Sequence, residues 1–334
     1  MTPPPRPAPR PAHGRRIGRR GLLIGGLGLA PLVAFGGYQA WSVADGLHGL
    51  QRTLQLPSST GAPSSAASTG ADPEAGKAVE VLLLGSDSRD TDAADGRSDT
   101  IMLAHLDADR EHAYLISFPR DLWVTVPGHG SAKINAAYAD GGTSLMAETI
   151  NELVGVGIDH AAVIDFAGFA DLTETVGGVT VRNAQAFSSH GYHYPEGRIT
   201  LSGRKALWFV RERHALAGGD FDRAANQRAV VKALAAKIAG PATLADPTKL
   251  AGVIATVSRY VTVDSGLTDR TILGLAGSMK AAAGSLVTLQ APVSGTSMIN
   301  GQSVDLVDRA RIRKLAAALQ HDTMADYVAA EKAD

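Results

Sequence analysis

VEVLLLGSDSR, residues 79–89, joins a short apolar run, interrupted only by Glu80, to a glycine and then to an acid and a base. Such a run, too short for an ordinary helix and closed by glycine, reads as a strand buried on both faces. Runs of similar length and β-rich composition recur at 101–106, 113–118 and 161–164. Helical patterns lie between and after them, at 144–153, 166–176 and 222–238, the last with Ala225, Ala229, Leu234 and Ile238 as its apolar positions. Further helical runs at 248–260, 268–283 and 304–319 continue the series. Strands interleaved with helices predict the α/β class, here a single layered α-β-α domain around a central mixed sheet. No fixed-period repeat and no second linker interrupts it, so the expectation is one domain over 77–322 with a C-terminal tail at 323–334.

Upstream the composition changes three times. Residues 1–20 alternate proline with arginine and alanine and carry Arg6, Arg10, Arg15, Arg16, Arg19 and Arg20, which predicts a disordered basic tail. From Gly21 to Ala44 no side chain is charged, about the length a helix needs to cross a bilayer. The arginines before it and Asp45 after it place the tail in the cytoplasm and the bulk outside, with Tyr38 and Trp41 at the outer interface. A cleaved signal peptide is the alternative, because Ser42-Val43-Ala44 supplies small residues for a peptidase. Either way the bulk of the chain is expected outside the cytoplasm, anchored as a single-pass protein of the cell membrane on the first reading. Residues 45–76, rich in serine, glycine and alanine beyond Pro57, read as a flexible tether.

The bulk numbers narrow the chemistry. The 334 residues carry 32 basic and 33 acidic side chains, so no global field draws the chain to nucleic acid, and any basic site is local. The absence of cysteine removes disulfides, thiolate metal sites and a thiol nucleophile. The histidines have no ligand spacing, and no P-loop, GxGxxG or GxSxG is present.

Acids and arginines gather where the strands end. Asp87 follows the first strand, and Asp99 sits in Arg97-Ser98-Asp99-Thr100 just before the next. Ligands of open α/β sheets bind at strand ends, so Asp87 and Asp99 can share one hard cation with the oxygens of a phosphorylated ligand, magnesium or manganese rather than zinc. Each acid alone could equally cap a turn. Arg120 and Asp121 follow the strand ending at Phe118, and Arg211-Glu212-Arg213 follows the apolar run 206–210. Taken as a strand, that run puts Arg211 and Arg213 on one face. Asp220, Phe221, Asp222 and Arg223 enter a helix in which Arg223 and Gln227 share a face. Guanidinium forks bind phosphate oxygens in pairs, so this set beside a metal suits a diphosphate. Lys133, in a loop before a helix, adds a cation; Asn135 caps a turn, and Gly177-Gly178 stops a helix before a strand.

The ordered series GSDSR, RSDT, PRD, KIN, GGV, VRER and DFDR resembles the LytR-CpsA-Psr family of cell-wall glycopolymer ligases. The likeness is close over 79–237 and looser to 319. It implies that Asp87 and Asp99 hold a magnesium ion on a diphosphate. It also implies that Arg97, Arg120, Arg211, Arg213 and Arg223, with Gln227, contact phosphate oxygens, and that Arg89, Lys133 and Asp220 belong to the substrate site. An apolar slot for a polyprenyl chain beneath the sheet is implied too. Asn226 stands where the family's pattern has arginine, which puts a phosphate role at that position in doubt. The expected activity is transfer of a glycopolymer from a polyprenyl diphosphate to a peptidoglycan hydroxyl, with no nucleic-acid partner. A polyprenyl-diphosphate phosphatase and a non-catalytic lipid or wall-binding module are the alternatives.

Overall fold

A computed structural model of the protein describes residues 47–57, 73–86, 98–278 and 285–333. The basic tail, the apolar segment 21–44, most of the tether and the residues Asp87, Arg89 and Arg97 lie outside these. Residues Val43–Asp334 form one compact unit. In chain order its strands are β1 Gln51–Leu54, β2 Val79–Ser86, β3 Ser98–Leu106, β4 Ala113–Phe118, β5 Leu122–Val126, β6 Gly130–Lys133, β7 His160–Asp165, β8 Val179–Asn183, β9 Phe187–Ser189, β10 Tyr192–Tyr194, β11 Gly197–Leu201, β12 Val261–Asp264, β13 Leu286–Gln290, β14 Val293–Ile299 and β15 Gln302–Val307. The helices are α1 Ile134–Val154, α2 Phe166–Thr175, α3 Gly203–Arg211, α4 Asp220–Ile238, α5 Pro241–Leu244, α6 Pro247–Tyr260, α7 Asp269–Ser278, α8 Arg309–Gln320 and α9 Met324–Ala333.

The central sheet has seven strands in the order β1-β12-β7-β2-β3-β4-β13. It is mixed, as expected: β2 is parallel to β7 and β4 to β13, whereas β3 runs antiparallel between β2 and β4. The register pairs Ser86 with Ser98 and with Asp165, and Ile101 with Phe118. The carboxyl ends of β2, β4 and β7 therefore meet the amino end of β3 at one edge, where Asp99 stands and the turn that carries Arg120 starts.

Alternation along the strands sorts the apolar residues onto two faces. Leu82 and Leu84 of β2, Ile101 and Leu103 of β3 and Ile116 and Phe118 of β4 join a large core. Ile134, Met146 and Ile150 of α1, Leu315 and Leu319 of α8, and Leu122 and Val124 of the four-stranded sheet β14-β15-β5-β6 complete it. On the opposite face Val79 and Leu106 pack with Leu275 of α7. A second cluster, with Phe169, Leu172, Val181, Tyr194, Phe209 and Val230, binds α2, α3 and α4 to the hairpins β8-β11 and β9-β10.

Four expectations need correction. The run 206–210 is a helix: Ala206, Phe209 and Val210, at i, i+3 and i+4, are buried, and a five-residue apolar run satisfies that spacing as readily as a strand's. Arg211 and Arg213 thus do not alternate along a strand. Residues 304–307 belong to β15, and the helix starts only after Asp308, whose carboxylate accepts from the N–H groups of Ala310 and Arg311. The first part of the expected tether 45–76 is folded instead, because Leu47, Leu50 and Leu54 are buried and β1 forms an edge of the central sheet parallel to β12. The tail 323–334 is helical as far as Ala333, with Met324 and Val328 in the large core. Gly177 and Gly178, at φ of +76° and +81°, do end α2 and lead into β8. Among the described residues no helix is long and apolar enough to cross a membrane.

Candidate active site

Asp99 is the second residue of β3, set beside the end of β4 by the pairing of Ile101 with Phe118. Beyond Phe118 the chain turns, the Leu122 N–H donating to the Pro119 carbonyl at 3.0 Å. Arg120 stands in that turn, and its own carbonyl accepts from the Asn135 N–H in the first turn of α1 at 3.2 Å. So held, Arg120 Nη1 donates to Asp99 Oδ1 at 2.5 Å, with Asp121 and Asp220 at 3.6 and 3.9 Å from Nε. Burial works against the guanidinium charge, but Asp99, then Asp121 and Asp220, outweigh it and raise the group above its ordinary value.

The other cations come from the second cluster. Arg211, at the end of α3, lies over the Phe166 ring at 4.4 Å and over Trp208 at 5.4 Å, so two aromatic faces position it. The turn that follows is organised by Glu212, whose Oε1 accepts from the N–H groups of Arg213, His214 and Ala215 at 2.9, 2.8 and 3.0 Å. Against the upward push of burial, hydrogen bonds from Ser189 and those three N–H groups hold its carboxyl below the usual value. Arg213 Nε donates to His214 Nε2 at 3.3 Å. Gly219, at φ +55°, turns the chain into α4, which presents Arg223 and Gln227 one turn apart, both buried. Arg223 pairs with Asp220, and Gln227 Nε2 donates to the Val210 carbonyl at 3.1 Å. Burial lowers the Arg223 pKa and raises that of Asp220, each partly offset by the other's charge.

Asp99, Arg120, Phe166, Arg211, Arg213, His214, Arg223 and Gln227 line one pocket of about 230 Å³. Four guanidinium groups thus face one carboxylate in a chain whose formal net charge is only -1. Nε of Arg120 and Nε of Arg223 are buried without a hydrogen-bond partner among the described residues. Unsatisfied buried donors of this kind fit a bound anion. Asp99 Oδ2 accepts no hydrogen bond among the described residues, so a hard cation can be met from that side. Lys133 stands outside the lining: its Nζ bonds Asp121 Oδ1 at 2.7 Å and acts on the pocket through the Arg120 turn. Asp220 stands behind Arg120 and Arg223 in the same way. Phe166 and His214 line the pocket although nothing in the sequence singles them out, since an aromatic at a helix start and an isolated histidine carry no spacing signal.

Known proteins bear on this arrangement. Polyisoprenyl-teichoic acid–peptidoglycan teichoic acid transferase TagU of Oceanobacillus iheyensis is 42% identical over 162 residues, 47% of this chain and 50% of that protein. The TagU of Bacillus cereus is 32% identical over 234 residues, 70% of this chain and 75% of that one. The chain spans about half the length of the first curated relatives it matches. A solved structure of TagT bound to LI-WTA superposes with a TM-score of 0.60 at 25% identity, covering 74% of this chain and 91% of that chain. The LytR_cpsA_psr family model matches residues 53–321, which contain every described strand from β2 to β15 and the whole pocket, and the chain therefore belongs to the LytR_cpsA_psr family.

Proposed function

We propose that this protein transfers a glycopolymer from a polyprenyl diphosphate carrier to a peptidoglycan sugar hydroxyl. The observation that carries the proposal is the convergence of Arg120, Arg211, Arg213 and Arg223 on one pocket, with Nε of Arg120 and of Arg223 buried and without a hydrogen bond among the described residues. The names of the relatives, transferases of polyisoprenyl-linked teichoic acid to peptidoglycan, support the substrate class.

In this reading the guanidinium groups and Gln227 hold the diphosphate, with Arg97 and Arg89 joining them from the segment before β3. The acceptor hydroxyl oxygen attacks the phosphorus nearest the glycan. The bond from that phosphorus to the bridging oxygen breaks, a phosphodiester forms and polyprenyl phosphate leaves. Negative charge grows on the phosphoryl oxygens and on the departing phosphate, and fixed guanidinium dipoles and charges stabilise it without reorganising. Asp87 is the proposed acceptor of the hydroxyl proton. Asp87 and Asp99 would hold magnesium, or manganese, which supplies further positive charge to the diphosphate when bound. Lys133 and Asp220 keep the arginines in register, and the polyprenyl chain occupies an apolar slot of the same domain. The apolar segment 21–44 would anchor the chain in the cell membrane with this domain outside, within reach of lipid-borne substrate and of the wall.

The test is reconstitution with a synthetic polyprenyl-diphosphate glycan and peptidoglycan oligomers, with products resolved by mass spectrometry. Glycan joined to peptidoglycan through a phosphodiester, and lost in Arg211→Ala, is the expected result. Glycan phosphate released into water at equal rates with and without acceptor would identify a phosphatase instead.

A further inference from the structure

At the far end of β3 from the arginine pocket, His105, Asp107 and Asp322 meet under the junction of α8 and α9. Six residues of strand separate Asp99 from His105, about 20 Å of backbone. We propose that these three residues form a second, structural site for a divalent transition cation of the zinc or manganese class.

The geometry is that of a coordination polyhedron. Nε2 of His105 lies 3.0 Å from Asp322 Oδ1 and 3.4 Å from Asp107 Oδ1, and the three ligand atoms lie within 4.8 Å of one another. Ligands about 2.1 Å from a common ion, at octahedral to tetrahedral angles, are separated by about 3.0–3.4 Å. Each ligand is also oriented from behind. His105 is fully buried, with Nδ1 bonded to Oε1 of Glu80 at 2.5 Å and Nε2 facing Asp322 Oδ1 at 3.0 Å, so that with an ion bound Glu80 would keep the proton on Nδ1 and Nε2 would serve as the ligand. Asp322 Oδ2 accepts the Ala108 N–H at 3.0 Å, which turns Oδ1 towards the imidazole. Asp107 Oδ2 lies 3.6 Å from Nδ1 of His112, whose ring stacks on Tyr114.

Two observations separate this cluster from a simple ion pair. Asp107 Oδ1, the atom aimed at the centre, is buried and has no hydrogen-bond partner among the described residues, and the same is true of Oε2 of Glu80, whose residue is only 5% exposed. Three carboxylates, those of Glu80, Asp107 and Asp322, also surround the His105 imidazole, and even with the half-exposed His112 beside Asp107 two protonated rings cannot balance them. A divalent ion satisfies the orphan oxygen and the charge together. It would clasp the α8–α9 junction to the end of the sheet, so its effect is on stability rather than on transfer chemistry.

The experiment uses the untagged full chain, stripped with EDTA and titrated with zinc or manganese by equilibrium dialysis and elemental analysis, alongside thermal unfolding. One equivalent of zinc, or of manganese beyond that taken at Asp87 and Asp99, is expected to bind at this site and to raise Tm by several degrees. Asp322→Asn should weaken that binding at least tenfold and abolish the Tm response, while Asp99→Asn keeps both. Asp322 is the chosen position because its side chain is 31% exposed and its replacement leaves the core intact; circular dichroism checks the fold. Failure of zinc and manganese to bind, equal binding by Asp322→Asn and the wild type, or loss in Asp99→Asn alone would each overturn the proposal.

Discussion

Replacing Arg223 by alanine removes two different things, and they can be measured apart. Arg223 is 5% exposed and forms an ion pair with Asp220, so its loss leaves a buried carboxylate short of its partner. Breaking a buried pair from one side costs roughly 3–5 kcal/mol. Here Arg120 Nε remains 3.9 Å from Asp220, and burial already pushes the Asp220 carboxyl towards its neutral form, so the expected loss of stability is smaller, about 2–3 kcal/mol. The same substitution removes a guanidinium from the pocket wall, and losing one preorganised donor at a developing oxyanion slows a reaction by about 10²–10³. The double variant Asp220→Asn/Arg223→Ala restores most of the stability, because no buried charge is left unpaired, but not the rate. Urea unfolding gives the first quantity, and kcat/KM for glycan transfer to peptidoglycan oligomers gives the second. A double variant that regained transfer in step with stability would show that Arg223 serves only the fold, and would remove it from the proposed diphosphate site.

Phe166→Ala should lower kcat/KM about tenfold with little change in Tm, since it frees Arg211 from the ring that orients it, and such a contact contributes about 0.5–2 kcal/mol; unchanged kinetics would argue that Trp208 alone suffices. Asp305 offers a pH test: burial, with Asp121 and Asp220 nearby, pushes its carboxyl up to about 6, against about 3.9 in an unfolded chain. Between those values the folded state binds the extra proton, so Asp305 costs nothing at low pH and its penalty grows as pH rises through 6. Asp305→Asn should therefore be more stable than the wild type by about 1–3 kcal/mol at pH 8, with the advantage vanishing near pH 4, as read from Tm against pH. Chelation should abolish transfer and magnesium restore it, with Asp99→Asn needing more magnesium for half-maximal rate; full activity in EDTA would remove the cation from the mechanism.

The central strands were legible because burial on both faces leaves a continuous apolar run, and all six residues of β4 are indeed buried. The run at 206–210 defeats the same rule, since five apolar residues can belong to a buried helix face or to a strand, and only the tertiary contacts of Phe209 with Phe187 and Tyr194 decide between them. Short edge elements such as β1 were illegible for a different reason: a four-residue strand carries too little pattern until β12, some 200 residues later, pairs with it. The arginines could be found because they stand where strands and helices end. Phe166 and His214 could not, because their place in the pocket depends on how two separately packed clusters dock.

That docking sets the site. Asp99 stands on β3 and Arg120 in the turn between β4 and β5, whereas Arg211, Arg213, Arg223 and Gln227 come from α3, α4 and the turn between them, whose apolar side faces the second cluster. Arg228, one residue beyond Gln227, ties the two together: its Nη1 donates to Ser117 Oγ on β4 at 2.5 Å and to Gln290 Oε1 on β13 at 3.3 Å. Burial pushes its pKa down to about 10, so it is still a cation at neutral pH, held by two neutral oxygens. For stability alone an apolar residue would serve as well or better. What the guanidinium adds is direction, because two hydrogen bonds to adjacent strands fix both the slide and the rotation of α4, which an apolar contact tolerates. One residue of rotation would swing Arg223 about 100° around the helix axis and out of the pocket, so the arginine cluster proposed to bind phosphate is only as precise as this anchor beneath it.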